Sequence, residues 1–186
     1  MNTTPRPDFA IVDATPDRFE AALPALVRLL QACVAGGASI GWPQTPDDAA
    51  AATFWRACAE AAARGERGFW LALQHVADPA SVLGSAQLGL AAMPNGRHRA
   101  ELMKVMVHPQ ARRRGLASAL LHHAEVQALA RGRWLLVLDT LSGSDAERLY
   151  ARLGWQLCGR IPDYAELADG RMAATTVMHK RLPATA

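Results

Sequence analysis

Apolar and polar residues alternate along this chain in two rhythms, and each rhythm predicts one type of secondary structure. Apolar residues that recur every three or four positions predict helices, whereas short apolar or alternating runs bounded by Gly, Pro, Asn or Asp predict strands. The predicted strands are 9–13, 69–76, 82–91, 98–107, 134–139, 155–160 and 172–181, and the predicted helices are 18–35, 46–64, a segment directly after Gly115, and 144–153. Their order, β-α-α-β-β-β-α-β-α-β-β, predicts an α/β fold in which helices cover both faces of a mixed central sheet of about seven strands.

Length and composition are those of an ordinary globular protein. The chain has 186 residues, 51% of them hydrophobic and 20% charged, so we expect a single domain over 1–186 with an ordered core of about 9–182. The formal net charge of +3 is only mildly basic and does not imply a nucleic-acid partner. No apolar run reaches the roughly 18 residues that a membrane span needs, and the N-terminus lacks a signal-peptide pattern.

The cysteines and histidines show no metal-site spacing. Cys33, Cys58 and Cys158 are far apart and form no CxxC pair, which favours a reducing compartment without disulfides. None of the three has an evident histidine partner in the sequence, which disfavours a covalent acyl-cysteine route. We therefore expect a cytoplasmic protein that has no metal and does not contact a membrane.

Residues 105–121 carry the strongest chemical signal. A strand-like run ends at His108-Pro109, a short loop follows with Arg112, Arg113, Arg114 and Gly115, and a helix starts at once, its apolar stripe extending to Ala128. The first N–H groups of a helix have no intrahelical partner, and the helix dipole adds partial positive charge there. Gly115 has no Cβ, so an anion can approach the backbone closely. The segment predicts an anion site that is neither a Walker loop nor a dinucleotide fingerprint, although three arginines alone also fit a solvated or nucleic-acid-binding turn.

Two signatures in this chain resemble those of one enzyme superfamily. Val107, four residues, then Arg112-x-x-Gly115-x-Ala117 resembles the acetyl-CoA pyrophosphate loop of the GCN5-related N-acetyltransferases, the GNAT superfamily. Residues 146–155 resemble a second GNAT signature about thirty residues further on, with Trp155 in place of the usual Phe. Segments 94–107, 138–140, 146–150 and 161–164 are similar to the tabtoxin-resistance acetyltransferase group within it.

The resemblance implies a GNAT-like fold and an acetyl-CoA-dependent N-acetyltransferase. The acetyl group would pass from acetyl-CoA to the amine of a small molecule by direct attack in a ternary complex. Two alternatives stay open: a protein or peptide amine as the acceptor, and a non-catalytic acyl-CoA-binding module. The habit of the superfamily also suggests a homodimer.

The resemblance assigns residues to the two substrates. Those assigned to acetyl-CoA are Val105, Met106, Val107, Arg112, Arg113, Arg114, Gly115, Leu116, Ala117, Ser118 and Ser144. A main-chain N–H near Val105 would face the thioester oxygen. Ser144 is included because Gly143 stands where relatives often carry a cofactor-binding Asn. Trp42 and Tyr164 fall where the superfamily shapes its acceptor pocket, and packing is the competing explanation for both.

Three residues are candidates for the chemistry. An alkylammonium acceptor loses its proton only near pH 10, so a general base is useful, and Glu101 and Asp139 match the pair of carboxylates of the tabtoxin-resistance group. Asp139 ends an apolar strand that we expect to be covered on both faces, and such desolvation raises a carboxylate's pKa. Tyr150 matches a tyrosine that reaches the CoA sulfur and donates its proton to the departing thiolate. The competing explanations are a strand-end charge for Glu101, a turn cap for Asp139 and a core residue for Tyr150.

Overall fold

The computed structural model describes residues 8–183, which form seven strands and four α-helices in the predicted order. The elements are β1 (Ala10–Asp13), α1 (Pro16–Ala35), α2 (Asp48–Ala63), β2 (Arg67–Leu73), β3 (Val82–Leu90), β4 (Arg99–Val107), α3 (Leu116–Ala130), β5 (Leu135–Leu141), α4 (Asp145–Arg152), β6 (Gln156–Glu166) and β7 (Met172–Arg181). The predicted mixed α/β fold is confirmed.

All seven strands belong to one sheet with the order β1-β2-β3-β4-β5-β7-β6. Neighbouring strands are antiparallel except β4 and β5, which are parallel. The chain joins this parallel pair through α3, because a parallel connection must cross from one end of the sheet to the other. The two ends of the functional segment, β4 and the start of α3, are thereby held next to β5.

Each face of the sheet has its own core. On one face, α1 and α2 cover β2 and β3 around Trp55, which is fully buried, stacks on Phe69 at 5.6 Å and donates through Nε1 to the Leu26 carbonyl at 2.8 Å. On the other face, α3 and α4 pack on Leu136 and Leu138 of β5. Side chains alternate along a strand, so Val137 and Asp139 point to the α1/α2 face.

Three predicted strands differ from the structure by two residues or more. β2 spans Arg67–Leu73 instead of the predicted 69–76. β5 continues past Asp139 to Leu141, and the expectation that both its faces are covered is wrong: Leu136 and Leu138 are buried, but Asp139 is exposed. α1 and α2 pack on β2, β3 and β4, and neither makes a comparable contact with β5. β6 extends to Glu166 because bulges between Leu157 and Gly159 and between Ile161 and Ala165 carry the strand past Pro162.

Candidate active site

A gap opens between the two parallel strands. β4 and β5 pair only through Arg99, Ala100 and Glu101, whose Cα partners are Leu135, Leu136 and Val137. Beyond Glu101, β4 continues along β3 while β5 continues along β7 as far as Leu141. The side of β4 from Leu102 to Val107 that would face β5 therefore has no strand partner, and its main-chain groups are available to an extended ligand.

A β-bulge lies in β4 at this gap. Ser85 faces Met106 and Gln87 faces Met103, so that Ala86 of β3 is opposed by both Lys104 and Val105. Lys104 has φ of 51°, a left-handed conformation that is uncommon for any residue with a side chain, and its carbonyl accepts from Ser85 Oγ at 3.2 Å. The bulge turns β4 away from β5 and accounts for the gap.

The N-terminus of α3 lies at the end of β4. Its N-cap is Gly115 with φ of 82°, no side chain caps the helix, and the first helical hydrogen bond is donated by Ala119 N–H to the Gly115 carbonyl at 3.0 Å. The preceding N–H groups, on Leu116, Ala117 and Ser118, point out of the helix. A Cβ at Gly115 would meet no protein atom within 4 Å, so the space beside these N–H groups is open. Geometry and dipole both favour an anion here.

The three arginines have different partners. Arg114 is paired with Asp8, Nη2 to Oδ2 at 2.6 Å, which directs its charge toward the N-terminal segment. Arg112 lies beside the buried Cys33 thiol, whose pKa is raised mainly by that burial. The pKa of Asp145 at the start of α4 is lowered mainly by its hydrogen bond with Arg148, with Arg113 and Arg112 adding to the effect. The charges of Arg112 and Arg113 are thus close enough to the start of α4 to act on Asp145.

Ser144 caps the helix on the other side of the gap. It is the N-cap of α4, and its Oγ accepts from the Glu147 N–H at 3.2 Å. The cap uses an oxygen lone pair, so the hydroxyl hydrogen stays free to donate. A structural role is established for Ser144, and the cofactor contact expected from the sequence stays a prediction.

Asp139 lies on the far wall of the gap. Its Oδ2 accepts from the Thr175 hydroxyl at 2.9 Å. Among residues 8–183, its Oδ1 has no hydrogen-bond partner, so this oxygen is free to face a substrate or water. The sequence argument expected Asp139 to be desolvated, and that expectation is wrong because Asp139 is exposed. The case for Asp139 as a general base now depends on its position in the gap.

Tyr150 reaches the gap from the other face of the sheet. It is 8% exposed and packs on Trp155, with ring centroids 5.9 Å apart. Burial raises the pKa of Tyr150 to about 12, and the Asp139 carboxylate adds to this effect. The phenol is therefore neutral at physiological pH and able to donate a hydrogen bond. Within the described part of the chain its hydroxyl has no hydrogen-bond partner.

Glu101 is the last β4 residue paired with β5, at the point where the gap begins. It is exposed and pairs with Val137, so it lies on the same face as Asp139 and one residue pair before it along the strand. The structure therefore brings Glu101, Asp139 and Tyr150 to the same end of the gap. The helix terminus with Gly115 lies at the other end, beyond Val107.

The Lys104 side chain makes a contact beside the gap that sequence reasoning missed. Its Nζ donates to the Ile40 carbonyl at 3.0 Å and lies 5.5 Å from the Phe54 ring centroid. Trp42 contacts the same ring edge-on, with centroids 6.3 Å apart. Burial lowers the pKa of Lys104, while Cys58, Asp139 and Glu101 partly oppose that effect. The loop between α1 and α2 is thus tied to the β4 bulge. Only the three-dimensional structure reveals this contact, because 64 residues separate Lys104 from Ile40.

Two other sequence expectations concern the position of Tyr164 and the neighbours of the cysteines. Tyr164 lies in the second bulge of the edge strand β6 with 53% of its surface exposed, and no described contact joins it to Asp139, Lys104 or Tyr150. The expectation that no cysteine has a histidine partner is wrong, because Cys158 Sγ lies 3.2 Å from His179 Nδ1. Cys158 is on β6, and β7 separates it from the β5 strand that carries Asp139.

In residues 8–183, no group of three or more His, Cys, Asp or Glu side chains is arranged to hold a metal ion. No helix in the same range combines the length and the apolarity that a bilayer span requires.

Comparison with solved structures finds the same fold in several acetyltransferases. The ribosomal-protein-alanine N-acetyltransferase of Brucella melitensis is 25% identical, with a TM-score of 0.77 over 93% of this chain and 99% of that one. The yncA protein of Salmonella typhimurium, solved with its cofactor acetyl-CoA, is 23% identical with a TM-score of 0.73 over 96% of both chains. A phosphinothricin acetyltransferase of Sinorhizobium meliloti, in complex with AcCoA, is 20% identical with a TM-score of 0.75 over 94% of this chain and 89% of that one.

A family model identifies the chain more directly. Residues 65–157, which make up half of the chain, match the model described as an acetyltransferase (GNAT) domain. The matched stretch contains β4 with its bulge, the Gly115 helix terminus, Asp139 and Tyr150, which are the parts that form the gap. The chain belongs to the GNAT acetyltransferase family and is an acyltransferase.

Proposed function

We propose that this acyltransferase uses acetyl-CoA to acetylate the amine of a small molecule by direct attack in a ternary complex. The observation that carries the proposal is the gap between β4 and β5. It has an uncapped helix N-terminus at one end and Asp139, Glu101 and Tyr150 at the other. Such a gap suits a long donor molecule with an anion at one end and a reactive thioester at the other.

The donor would lie along β4. The N–H groups of Leu116, Ala117 and Ser118 would hold the diphosphate, with Gly115 leaving room for it and with Arg112 and Arg113 adding positive charge. The free side of Val105, Met106 and Val107 would pair with the amide groups of the pantetheine arm. An N–H near Val105 would donate to the thioester oxygen as negative charge develops on it.

Asp139 and Glu101 would take up the proton that the acceptor nitrogen loses as its bond to the acetyl carbon forms and the bond from that carbon to sulfur breaks. Both are exposed on the same face at the point where the strands diverge, so water can connect them to the acceptor. The free Oδ1 of Asp139 is the oxygen placed to receive that proton, because Oδ2 is held by Thr175. Asp139 would be the principal base and Glu101 a second base acting through water.

Tyr150 would stabilise the departing thiolate. A phenol with a pKa of about 12 is a weaker acid than a thiol, whose pKa is about 8.5. Full proton transfer from Tyr150 to the thiolate is therefore unfavourable. We propose that Tyr150 donates a hydrogen bond to the sulfur, rather than the whole proton that the resemblance suggested.

The tie between Lys104 and Ile40 favours a small acceptor. It closes the α1–α2 loop, with Trp42, over the bulge at the acceptor end of the gap. The resemblance to the tabtoxin-resistance group, together with the phosphinothricin acetyltransferase among the structural neighbours, supports an acceptor of this size. The Brucella neighbour, named for a ribosomal-protein alanine, favours a second candidate, the N-terminal amine of a peptide.

A covalent acetyl-cysteine route is disfavoured by position. Although Cys158 has a histidine neighbour, β7 lies between its strand and that of Asp139, and strands are about 4.8 Å apart, so the thiol is roughly 10 Å from the gap wall. Cys33 and Cys58 are buried.

The first test is calorimetric titration with acetyl-CoA of the wild type and of Gly115→Glu. The variant places a carboxylate and its stem where the diphosphate would lie, so we expect affinity to fall by at least about a hundredfold. Gly132→Glu is the matched control. Gly132 follows the C-terminus of α3, has φ of 69° and, like Gly115, would place its Cβ in open space. Absence of wild-type binding, or equal losses in the two variants, contradicts the proposed donor site.

A panel of candidate acceptor amines then determines the class of acceptor. Release of the CoA thiol is measured with primary amines, amino acids, β-lactam amino acids and short peptides that begin with alanine. Turnover of small amines above peptides supports the proposal, and turnover of peptides alone supports the second candidate. Tight acetyl-CoA binding without turnover of any amine points to a non-catalytic acyl-CoA-binding module.

A further inference from the structure

Thr175 contacts the proposed base from the neighbouring strand. It lies on β7 with only 3% of its surface exposed, and its Cα partner on β5 is Leu141. Asp139 pairs with Val177, so Thr175 and Asp139 are diagonal neighbours on the same face of the sheet. The Thr175 hydroxyl oxygen lies 2.9 Å from Asp139 Oδ2 and 3.0 Å from the Thr140 carbonyl oxygen.

A hydroxyl has one hydrogen to donate, and here it has two acceptors. When Asp139 is ionised, donation to Oδ2 is favoured, because a hydrogen bond to a charged acceptor is the stronger one. When Asp139 has taken up a proton on Oδ1, Oδ2 is a neutral carbonyl oxygen that can still accept from Thr175, and the Thr175 hydrogen can also turn to the Thr140 carbonyl. A single buried hydroxyl therefore has an acceptor in both protonation states of the carboxyl group.

The other titratable groups near Asp139 do not replace this hydroxyl. Lys104 on β4 and Tyr150 on α4 interact with the Asp139 charge, and neither makes a hydrogen bond to it. Glu101 on β4 and His179 on β7 share its face of the sheet through their pairing with Val137. Within residues 8–183, Thr175 is the only side chain that donates a hydrogen bond to the Asp139 carboxylate.

We propose that Thr175 is a positioning residue that holds Oδ2 of Asp139, directs Oδ1 toward the acceptor amine and stabilises the carboxyl group both before and after proton uptake. The inference rests on the proposed function, because it requires Asp139 to be the base. A threonine that only filled space would be replaceable by valine, which has nearly the same shape and suits a buried strand position equally well. The hydroxyl is thus the group to test.

The experiment compares Thr175→Val with Thr175→Ser. We expect kcat for the best acceptor of the amine panel to fall about tenfold in Thr175→Val, while acetyl-CoA affinity and acceptor KM stay within about twofold of the wild type. Thr175→Ser keeps the hydroxyl and should retain the wild-type kcat. The double variant Asp139→Asn/Thr175→Val should be no slower than Asp139→Asn alone, because a positioning role that acts through the carboxylate then has nothing left to position.

The outcomes separate this inference from the proposed function. An inactive Asp139→Asn together with a Thr175→Val variant of wild-type kcat overturns the role of Thr175 alone, and so does a double variant that is about tenfold slower than Asp139→Asn. Equal impairment of Thr175→Ser and Thr175→Val, with lowered thermal unfolding midpoints, also overturns it, because packing then explains the effect. Full turnover by Asp139→Asn overturns the base assignment, and the role of Thr175 falls with it.

Discussion

The two ends of the gap between β4 and β5 present different kinds of chemical group. At the proposed donor end, the groups that face the ligand are main-chain N–H groups of α3 and of the unpaired side of β4. At the proposed acceptor end they are side chains from distant segments, among them Lys104, Asp139 and Tyr150. Main-chain groups are the same in every sequence that adopts the fold, whereas side chains change with one substitution. Donor binding should therefore tolerate most substitutions, and acceptor chemistry should not.

The largest effect that tests this contrast is expected from Asp139→Asn. The amide keeps an oxygen that accepts from Thr175 but cannot take up a proton, so kcat should fall about a hundredfold or more. Acetyl-CoA affinity should change less than twofold, because the donor end is untouched. Steady-state kinetics and calorimetric titration measure the two quantities.

Glu101→Gln is the matched comparison for Asp139→Asn. Glu101 is exposed at the same end of the gap, and within residues 8–183 its carboxylate accepts no hydrogen bond, so we expect a loss of about tenfold. If kcat falls further in Glu101→Gln than in Asp139→Asn, Glu101 is the principal base and Asp139 the second. A lowered unfolding midpoint in Asp139→Asn, without selective loss of rate, would make the carboxylate a turn cap.

A smaller effect is expected from Tyr150→Phe. Loss of the hydrogen bond to the sulfur should lower kcat about tenfold with little change in acetyl-CoA affinity. Because the pKa of the phenol is about 12, Tyr150 stays protonated below pH 10. The dependence of kcat on pH should therefore be the same in the variant and the wild type over that range. A profile whose alkaline limb disappears in Tyr150→Phe would show that Tyr150 gives up its whole proton.

The raised pKa of Tyr150 also leads to a prediction about the free energy of unfolding. The pKa of Tyr150 is about 12 in the folded protein and near 10 in an unfolded chain, so the folded state holds this proton more tightly. That contribution is fully present below pH 10 and is lost as the pH rises from 10 to 12. Urea unfolding across this range should therefore show a smaller loss of stability in Tyr150→Phe than in the wild type.

The local structure at the proposed donor end was predictable from the sequence because its signal is local. A strand, a loop with Gly115 and a helix occupy neighbouring positions, and the backbone conformation that glycine permits is the one that the structure has. The element order was predictable for a similar reason, since periodicity within each run determines its type. The roles of the residues at this end remain proposals.

The acceptor end was less predictable because its contacts join distant positions. The bonds of Lys104 to Ile40 and of Asp139 to Thr175 span 64 and 36 residues, and no short pattern encodes either. The expected desolvation of Asp139 was wrong because an apolar run does not reveal that only one face of β5 is covered. The pairing of Cys158 with His179 likewise depends on the β6–β7 register.

The smallest effect is expected from Lys104→Met. The thioether keeps most of the apolar stem beside Phe54 but removes the bond to the Ile40 carbonyl, so the loop that carries Trp42 loses its tie to the bulge. We expect KM for the acceptor to rise about three- to tenfold, with kcat and acetyl-CoA affinity nearly unchanged, because a loosened loop weakens binding equally in the ground and transition states.

Lys180→Met is the matched control for Lys104→Met. Lys180 also donates to a main-chain carbonyl, that of Leu153 at 2.9 Å, and is paired with Glu125 at 2.6 Å on the α3/α4 side of the sheet. Its loss should lower the unfolding midpoint, because Glu125 is left without its partner, while acceptor KM stays at the wild-type value. A rise in acceptor KM in both variants would mean that general destabilisation, and not the tie at the acceptor end, sets acceptor affinity. A rise of acceptor KM in Lys104→Met alone would show that acceptor binding depends on side chains at its own end of the gap. Acetyl-CoA binding would be unaffected, because none of its proposed contacts is altered.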